Sequence, residues 1–249
     1  MRLTFSDNTL HIVQFSGGAG SAVAAKLVID EFGPADVVLL FHDTLAEHPD
    51  AKRFREEVAA YLGLPITERS CGKSLWEVID ANSALPSSFM PFCTRELKLQ
   101  PGEQFLQDLE MAGQAFALYN GMGPDEPARV RRAKAEAAKR GRTLRCPLDE
   151  RDVDDPKSVV ASWGIELPVC YRYLKHNNCI PCFKATGLEY WYNVWLHHPA
   201  EYERAAQLEE KFGYTVRRGQ SLRELVTVYE RGPDPKWQTE RSRCAMCFE

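Results

Sequence analysis

Along the first 150 positions, short apolar runs alternate with stretches in which apolar residues recur at helical spacing. The strand-like runs fall at residues 11–15 (HIVQF), 36–41 (DVVLLF), 64–68, 115–119 (AFALY) and 143–146. Helix-like stretches fall at 20–32, 49–62, 73–80, 102–111 and 127–140. Val23, Leu27, Val28 and Phe32 mark the apolar face of the first helix, and Phe54, Val58 and Tyr61 that of the second. Such alternation predicts an α/β fold, a Rossmann-like parallel sheet with helices on both faces. Ligands in such sheets bind beyond the carboxyl ends of the strands, which directs attention to the loops that follow the strands.

Beyond residue 150 the pattern changes. The Asp-rich connector DERDVDDP leads to a helix near 156–163, then to a loop carrying Cys170, Cys179 and Cys182. Helices are predicted at about 187–197 and 199–212. The tail from 231 to 249 is rich in Pro, Gly and Arg and would be disordered but for its last two cysteines. Two domains are expected: residues 1–150, binding a nucleotide, and residues 151–249, smaller, helical and cysteine-rich. The aromatic run Tyr190, Trp191, Tyr192 and Trp195 reads as core packing rather than a base-stacking platform.

Length and composition narrow the class. A chain of 249 residues with 44% hydrophobic and 27% charged residues can bury a sizeable core. The net charge of -4 gives no general nucleic-acid footprint. No apolar run reaches the roughly 20 residues that span a bilayer, and the N-terminus shows no secretory signal. A cytoplasmic location without membrane association, and a homo-oligomer, are expected. Eight cysteines in a reducing compartment do not suggest a disulfide framework. Four form the pairs Cys179–Cys182 and Cys244–Cys247, each with metal-ligand spacing. All-sulfur ligation suits either tetrahedral zinc or an iron–sulfur cluster, and spacing alone does not separate them. Cys71 and Cys146 stand in strand-end contexts and read as structural.

Three loops carry candidate chemistry. After the first strand comes Ser16-Gly17-Gly18-Ala19-Gly20-Ser21. Glycines let the backbone approach a phosphate without a Cβ in the way, and the next helix presents its positive end there. The second strand ends at Asp43-Thr44, placed for a ribose, a base or a metal ion, although Asp43 also suits a helix N-cap. After the fourth strand, Gly121, Gly123, Asp125, Glu126 and Arg129 form a second candidate loop. Arg129 opens a basic helix that reads as a solvated face or a polyanion contact. Between the third and fourth strands, Arg95 and Lys98 lie three apart; on an α-helix they would share a face and clamp a phosphate or sulfate.

Ser-Gly-Gly-x-x-Ser after the first strand resembles the PP-loop of N-type ATP pyrophosphatases. Asp43-Thr44, the run Cys93-Thr94-Arg95-x-Leu97-Lys98-x-x-Pro101, and Gly121-x-Gly123-x-Asp125-Glu126-x-x-Arg129 resemble the phosphoadenylyl-sulfate reductase branch of that superfamily. The four motifs cover about residues 10–130. The resemblance implies a Rossmann-like sheet binding ATP or a related adenine nucleotide, with its phosphates on Ser16, Gly17, Gly18 and Ser21. It departs at two points. Family loops carry Asp just before the last serine, where this chain has Gly20; binding is expected of the loop, while magnesium-assisted cleavage is left open. Assimilatory reductases end in a Glu-Cys-Gly-His-like tail, where this chain ends Cys-Ala-Met-Cys-Phe-Glu.

The resemblance also tips the metal toward a four-iron four-sulfur cluster rather than zinc. Some reductase relatives hold one with a cysteine at the Cys93 position and a later Cys-x-x-Cys. DNA phosphorothioation proteins carry Cys-x8-Cys-x2-Cys, a spacing that Cys170, Cys179 and Cys182 share. Six cysteines (93, 170, 179, 182, 244 and 247) therefore compete for about four places. The expected function is an enzyme of sulfur metabolism or nucleic-acid modification that binds ATP or an adenylate and supports sulfur transfer. Lys98, Arg95 and Arg129 are its candidate catalytic residues. A cysteine desulfurase or other sulfur donor, and DNA, are the candidate partners. A phosphoadenylyl-sulfate or adenylyl-sulfate reductase, and a nucleotide-sensing module with a zinc-stapled tail, are the alternatives.

Overall fold

The computed structural model describes residues 8–239. Five strands, β1 (Leu10–Gln14), β2 (Val37–His42), β3 (Ile66–Arg69), β4 (Phe116–Tyr119) and β5 (Leu144–Arg145), form one parallel sheet in the order β3-β2-β1-β4-β5. The helices in chain order are α1 (Ala19–Phe32), α2 (Asp50–Leu62), α3 (Leu75–Asn82), α4 (Phe92–Thr94), α5 (Gln100–Met111) and α6 (Pro127–Lys139). They continue with α7 (Pro147–Glu150), α8 (Pro156–Ser162), α9 (Leu188–His197), α10 (Pro199–Phe212) and α11 (Leu222–Tyr229). A π-helical turn spans Arg95–Leu99, and 3-10 turns span Val169–Arg172 and Pro235–Thr239. The expected α/β class with a Rossmann-like parallel sheet is the one observed.

Two compact units are interleaved along the chain. The first comprises Met1–Asp43, Pro49–Ser70 and Gln100–Tyr171; the second comprises Thr44–His48, Cys71–Leu99 and Arg172–Glu249. This division differs from a cut at residue 150, because residues 151–171 belong to the first unit and residues 71–99 to the second.

In the first unit the three inner strands of the sheet, β2, β1 and β4, are largely buried on both faces, which explains why they read as near-continuous apolar runs. Side chains alternate across it. Val13, Leu39, Ala117 and Tyr119 pack with Val23, Val28, Phe54, Val58 and Val160 of α1, α2 and α8. Ile12, Leu40 and Leu118 point the other way, onto Leu106 of α5. The strand order reverses direction at β1, so the loops after β1 and β4 open the crevice where such sheets take their ligands.

The second unit has a core of its own, centred on Trp191, Tyr202 and Tyr229 with Leu222, Leu225 and Phe183. The Trp191 indole N–H donates to the Ala185 carbonyl oxygen at 2.6 Å, satisfying the polar edge of a side chain that is otherwise fully buried. The aromatic run at 190–195 is thus packing, as its sequence suggested. One helix differs from expectation. Helix α11 was not among the predicted elements, although the run Ser221-x-x-Glu224 forms a complete capping box at its start. Within the tail, Pro235–Thr239 makes a 3-10 turn, and Trp237 is buried against Tyr229 with ring centroids 5.6 Å apart. Among the described residues, no helix is long and apolar enough to cross a membrane.

Candidate functional site

The first unit brings its glycine-rich loop to the switch point. Strand pairing runs on past β1, with the Phe15 N–H donating to the Leu40 carbonyl oxygen at 2.8 Å. The chain then turns through Gly17 at φ 72, a left-handed conformation suited to glycine. Gly18 follows in extended conformation and caps α1 without contributing a side chain. Two hydroxyls gather at the same helix end. Ser21 Oγ donates to the Gly18 carbonyl oxygen at 2.9 Å, and Ser16 Oγ donates to Ser21 Oγ at 3.3 Å. No acidic residue stands in the first turn of α1, so its positive end is not neutralised by a carboxylate of its own.

The loop after β4 meets this turn at backbone distance. A Cβ at Gly20 would lie 2.8 Å from the Gly121 carbonyl oxygen, and a Cβ at Gly121 would lie 2.6 Å from the Ser21 nitrogen. Neither position tolerates a side chain without displacing backbone. The Asn120 amide donates to Gln14 Oε1 at 2.8 Å, tying the ends of β4 and β1. Beyond it, Glu126 is ion-paired with Arg129, whose side chain is 11% exposed, while Asp125 is exposed. Asp43, at the end of β2, donates its N–H to the Arg69 carbonyl oxygen at 2.9 Å and accepts from Ser70 Oγ at 3.2 Å through its own carbonyl. The first unit therefore holds the predicted Ser16–Ser21, Asp43, Gly121–Glu126 and Arg129 positions at the carboxyl edge of one sheet.

Sequence reasoning missed one residue here. Tyr171, in the Val169–Arg172 turn, accepts a hydrogen bond from the Ala19 N–H at 3.2 Å, and its hydroxyl lies 3.1 Å from where a Cβ of Gly18 would stand. The Lys157 ammonium sits 4.4 Å from the centroid of the Tyr171 ring. A single tyrosine between Cys170 and Arg172, some 150 residues from the loop it touches, leaves no periodic or spacing signal.

The second unit fastens the cysteine segment to two of the predicted motifs. Thr44 Oγ1 and Cys179 Sγ are hydrogen-bonded at 3.3 Å, Glu47 and Cys179 form an antiparallel bridge, and the Ile180 N–H donates to the Ala46 carbonyl oxygen at 2.6 Å. Lys184, only 2% exposed, donates to Thr94 Oγ1 beside Cys93 and Arg95. A buried ammonium requires such partners; Lys184 was not anticipated. The Cys182 N–H donates to the Tyr190 hydroxyl at 2.5 Å, and that hydroxyl donates to the Cys179 carbonyl oxygen at 3.2 Å. Arg95 is exposed and paired with Glu96 at 3.4 Å, whereas Lys98 is half-buried. Their turn is π-helical, so residues three apart are spread further around the axis than on the α-helix assumed from the sequence.

The cysteines divide by environment. Cys146 is fully buried, and burial pushes its thiol up to about 11, consistent with a structural role. Cys170, also fully buried, belongs to the first unit; Cys93, Cys179 and Cys182 belong to the second. Cys244 and Cys247 lie outside the described residues. Among the described residues, no three His, Cys, Asp or Glu side chains come together as a metal-holding group.

The profile of the phosphoadenosine phosphosulfate reductase domain matches residues 11–145, more than half the chain. A curated relative, the uncharacterized nin region protein ORF290 of Escherichia phage lambda, is 27% identical over 202 residues, covering 70% of this chain and 66% of its own length. The chain thus spans about two thirds of that relative. Among solved structures, the phosphoadenylyl-sulfate reductase from Candida auris in its phosphate complex superimposes with a TM-score of 0.47 at 18% identity, over 68% of this chain and 78% of that one.

Proposed function

Because the chain belongs to the phosphoadenosine phosphosulfate reductase domain family, we propose that it is an enzyme that binds ATP or a related adenylate by its phosphate-bearing end and supports sulfur transfer. The observation that carries this reading is the loop Ser16–Ser21. Two glycines, two inward-turned hydroxyls and a helix end without a carboxylate meet at the switch point of the sheet. Fixed N–H and O–H donors of this kind stabilise negative charge as it develops on a leaving phosphate or pyrophosphate. Arg129, held by Glu126, adds a cation at the same sheet edge, and Asp43, Asp125 and Glu126 are the carboxylates there for a ribose or a magnesium ion. Arg95 and Lys98 are proposed as sulfate or phosphate contacts.

Gly20 inclines the chemistry away from magnesium-assisted ATP cleavage. The Gly121 carbonyl occupies the space a carboxylate at that position would need, so the loop offers donors and no acidic ligand of its own. That favours, as the second reading, reduction of adenylyl sulfate or its 3′-phosphate, which needs an anion clamp and a thiol. A four-iron four-sulfur cluster or zinc on Cys179 and Cys182, completed by cysteines among 93, 170, 244 and 247, rests on spacing, as does a setting in DNA phosphorothioation with a cysteine desulfurase. The test is to supply the intact protein separately with ATP and magnesium and with 3′-phosphoadenylyl sulfate and a dithiol. Saturable binding of both is expected. Sulfite release from the second would establish the reductase reading, and binding of neither, by folded protein, would contradict the proposal.

A further inference from the structure

The hydroxyl of Tyr171 lies at the start of α1, beside the Gly17–Gly18 turn, within reach of an anion held at that helix end. It lies 3.2 Å from the Ala19 nitrogen and accepts that N–H, one of the first donors of the helix, which has no side-chain cap of its own. It also closes over Gly18, where even a Cβ would come within 3.1 Å of it. The Val169–Arg172 turn that delivers it is anchored within the same unit, because the Val169 N–H donates to Asp50 Oδ2 at 2.9 Å. Asp50 is in turn gripped by Arg53, with Nε 2.7 Å from Oδ1. The ring is therefore held from one side by a hydrogen-bonded turn and approached from another by Lys157, whose ammonium is 4.4 Å from its centroid.

We propose that Tyr171 is a phosphate-binding residue of the nucleotide site, supported by the charge of Lys157. The proposal rests on the reading of the Ser16–Ser21 loop as an adenine-nucleotide site and adds a ligand that none of its motifs contains. A phenol both donates and accepts. At the helix end it accepts the Ala19 N–H. Facing a phosphate it donates its own proton to an oxygen while still accepting the Ala19 N–H, so the hydroxyl links the helix end to the anion. Lys157 supplies a positive charge beside this pair, on the element that also packs against α1. The ligand class is a nucleotide carrying a phosphate chain or phosphosulfate, recognised at its anionic end and not at its base.

The experiment is calorimetric titration of the intact protein, wild type, Tyr171→Phe and Lys157→Met, with ATP and with adenosine, alongside thermal melts. Tyr171→Phe keeps the ring and the Lys157 contact and removes only the hydroxyl. It is expected to weaken ATP by about tenfold to a hundredfold, the range for a lost hydrogen bond to a charged group, to leave adenosine unchanged, and to lower the melting temperature only by the few degrees that one lost hydrogen bond costs. Lys157→Met is expected to weaken ATP severalfold and to flatten the dependence of ATP affinity on salt. Wild-type affinity for ATP in Tyr171→Phe overturns the proposal while leaving the nucleotide site intact. Equal weakening of ATP and adenosine overturns it as well, since the loss would then not lie at the phosphate. Failure of the wild type to bind either ligand overturns the underlying site, and the proposal with it.

Discussion

At Gly20 the family's usual aspartate meets a backbone carbonyl. A Cβ there would come within 2.8 Å of the Gly121 oxygen, and Gly121 is even less tolerant, with the Gly20 carbonyl carbon 2.5 Å from its own would-be Cβ. The two glycines are one feature, the close approach of the loops after β1 and β4, and changing either requires the other loop to move. Gly20→Asp is therefore expected to lower stability by about 1–3 kcal/mol, the range for overpacking, and to weaken nucleotide binding rather than create magnesium-dependent cleavage. Urea denaturation and a pyrophosphate assay on the variant read both effects. A stable Gly20→Asp protein that cleaves ATP would show that the loops have room the present geometry denies. From the sequence, Gly20 was visible as a departure from a pattern. Its reason was not visible, because the group that excludes the side chain lies about 100 positions away, in the loop after the adjacent strand β4. Tyr171 and Lys184 were hidden for the same reason, each acting through a contact of long sequence separation.

At the scale of elements, the alternation of apolar runs placed all five strands of the sheet and the longer helices between them to within a few residues, most sharply for β1, β2 and β4, which are buried on both faces and carry little but apolar residues. Periodicity failed where an element is short or irregular. The turn Arg95–Leu99 is π-helical, and no apolar spacing distinguishes it from the α-helix it runs into. Helix α11 has only eight residues, yet its start was written locally, since Ser221 Oγ accepts the Glu224 N–H at 3.2 Å and the Glu224 carboxylate accepts the Ser221 N–H at 2.8 Å. Its anchorage is long-range. Buried Glu209 of α10 accepts the N–H groups of Leu222 at 2.6 Å and Val216 at 2.7 Å, while burial raises its own carboxyl above the usual range. Ser221→Ala is expected to cost about 1 kcal/mol, a typical N-cap loss, and to leave nucleotide affinity unchanged. Chemical denaturation with parallel titration of ATP checks this, and a nucleotide effect as large as the stability effect would contradict the separation of roles.

For the whole molecule, the chain boundaries of the two units were not legible in the sequence. The second unit is assembled from Thr44–His48, Cys71–Leu99 and the residues from Arg172 onward, segments that no composition shift joins. One consequence is that Cys179 sits against Thr44 and Lys184 against Thr94, so the cysteine segment is built onto residues of two of the sequence motifs. Anaerobic purification followed by iron, sulfide and zinc analysis is expected to find metal in the intact chain and to lose it in Cys179→Ser and Cys182→Ser. Retention of the metal in both variants would remove these cysteines from the ligand set.

The central claim is that the loop Ser16–Ser21 holds the phosphate-bearing end of an adenine nucleotide. Equilibrium titration of the intact protein with ATP, adenylyl sulfate and adenosine tests it most directly. Saturable binding of one nucleotide per chain is predicted, with ATP or adenylyl sulfate held at least a hundredfold more tightly than adenosine, as charge-assisted hydrogen bonds to the anionic end require. Equal affinity for all three, or no binding by protein that melts cooperatively, would contradict it.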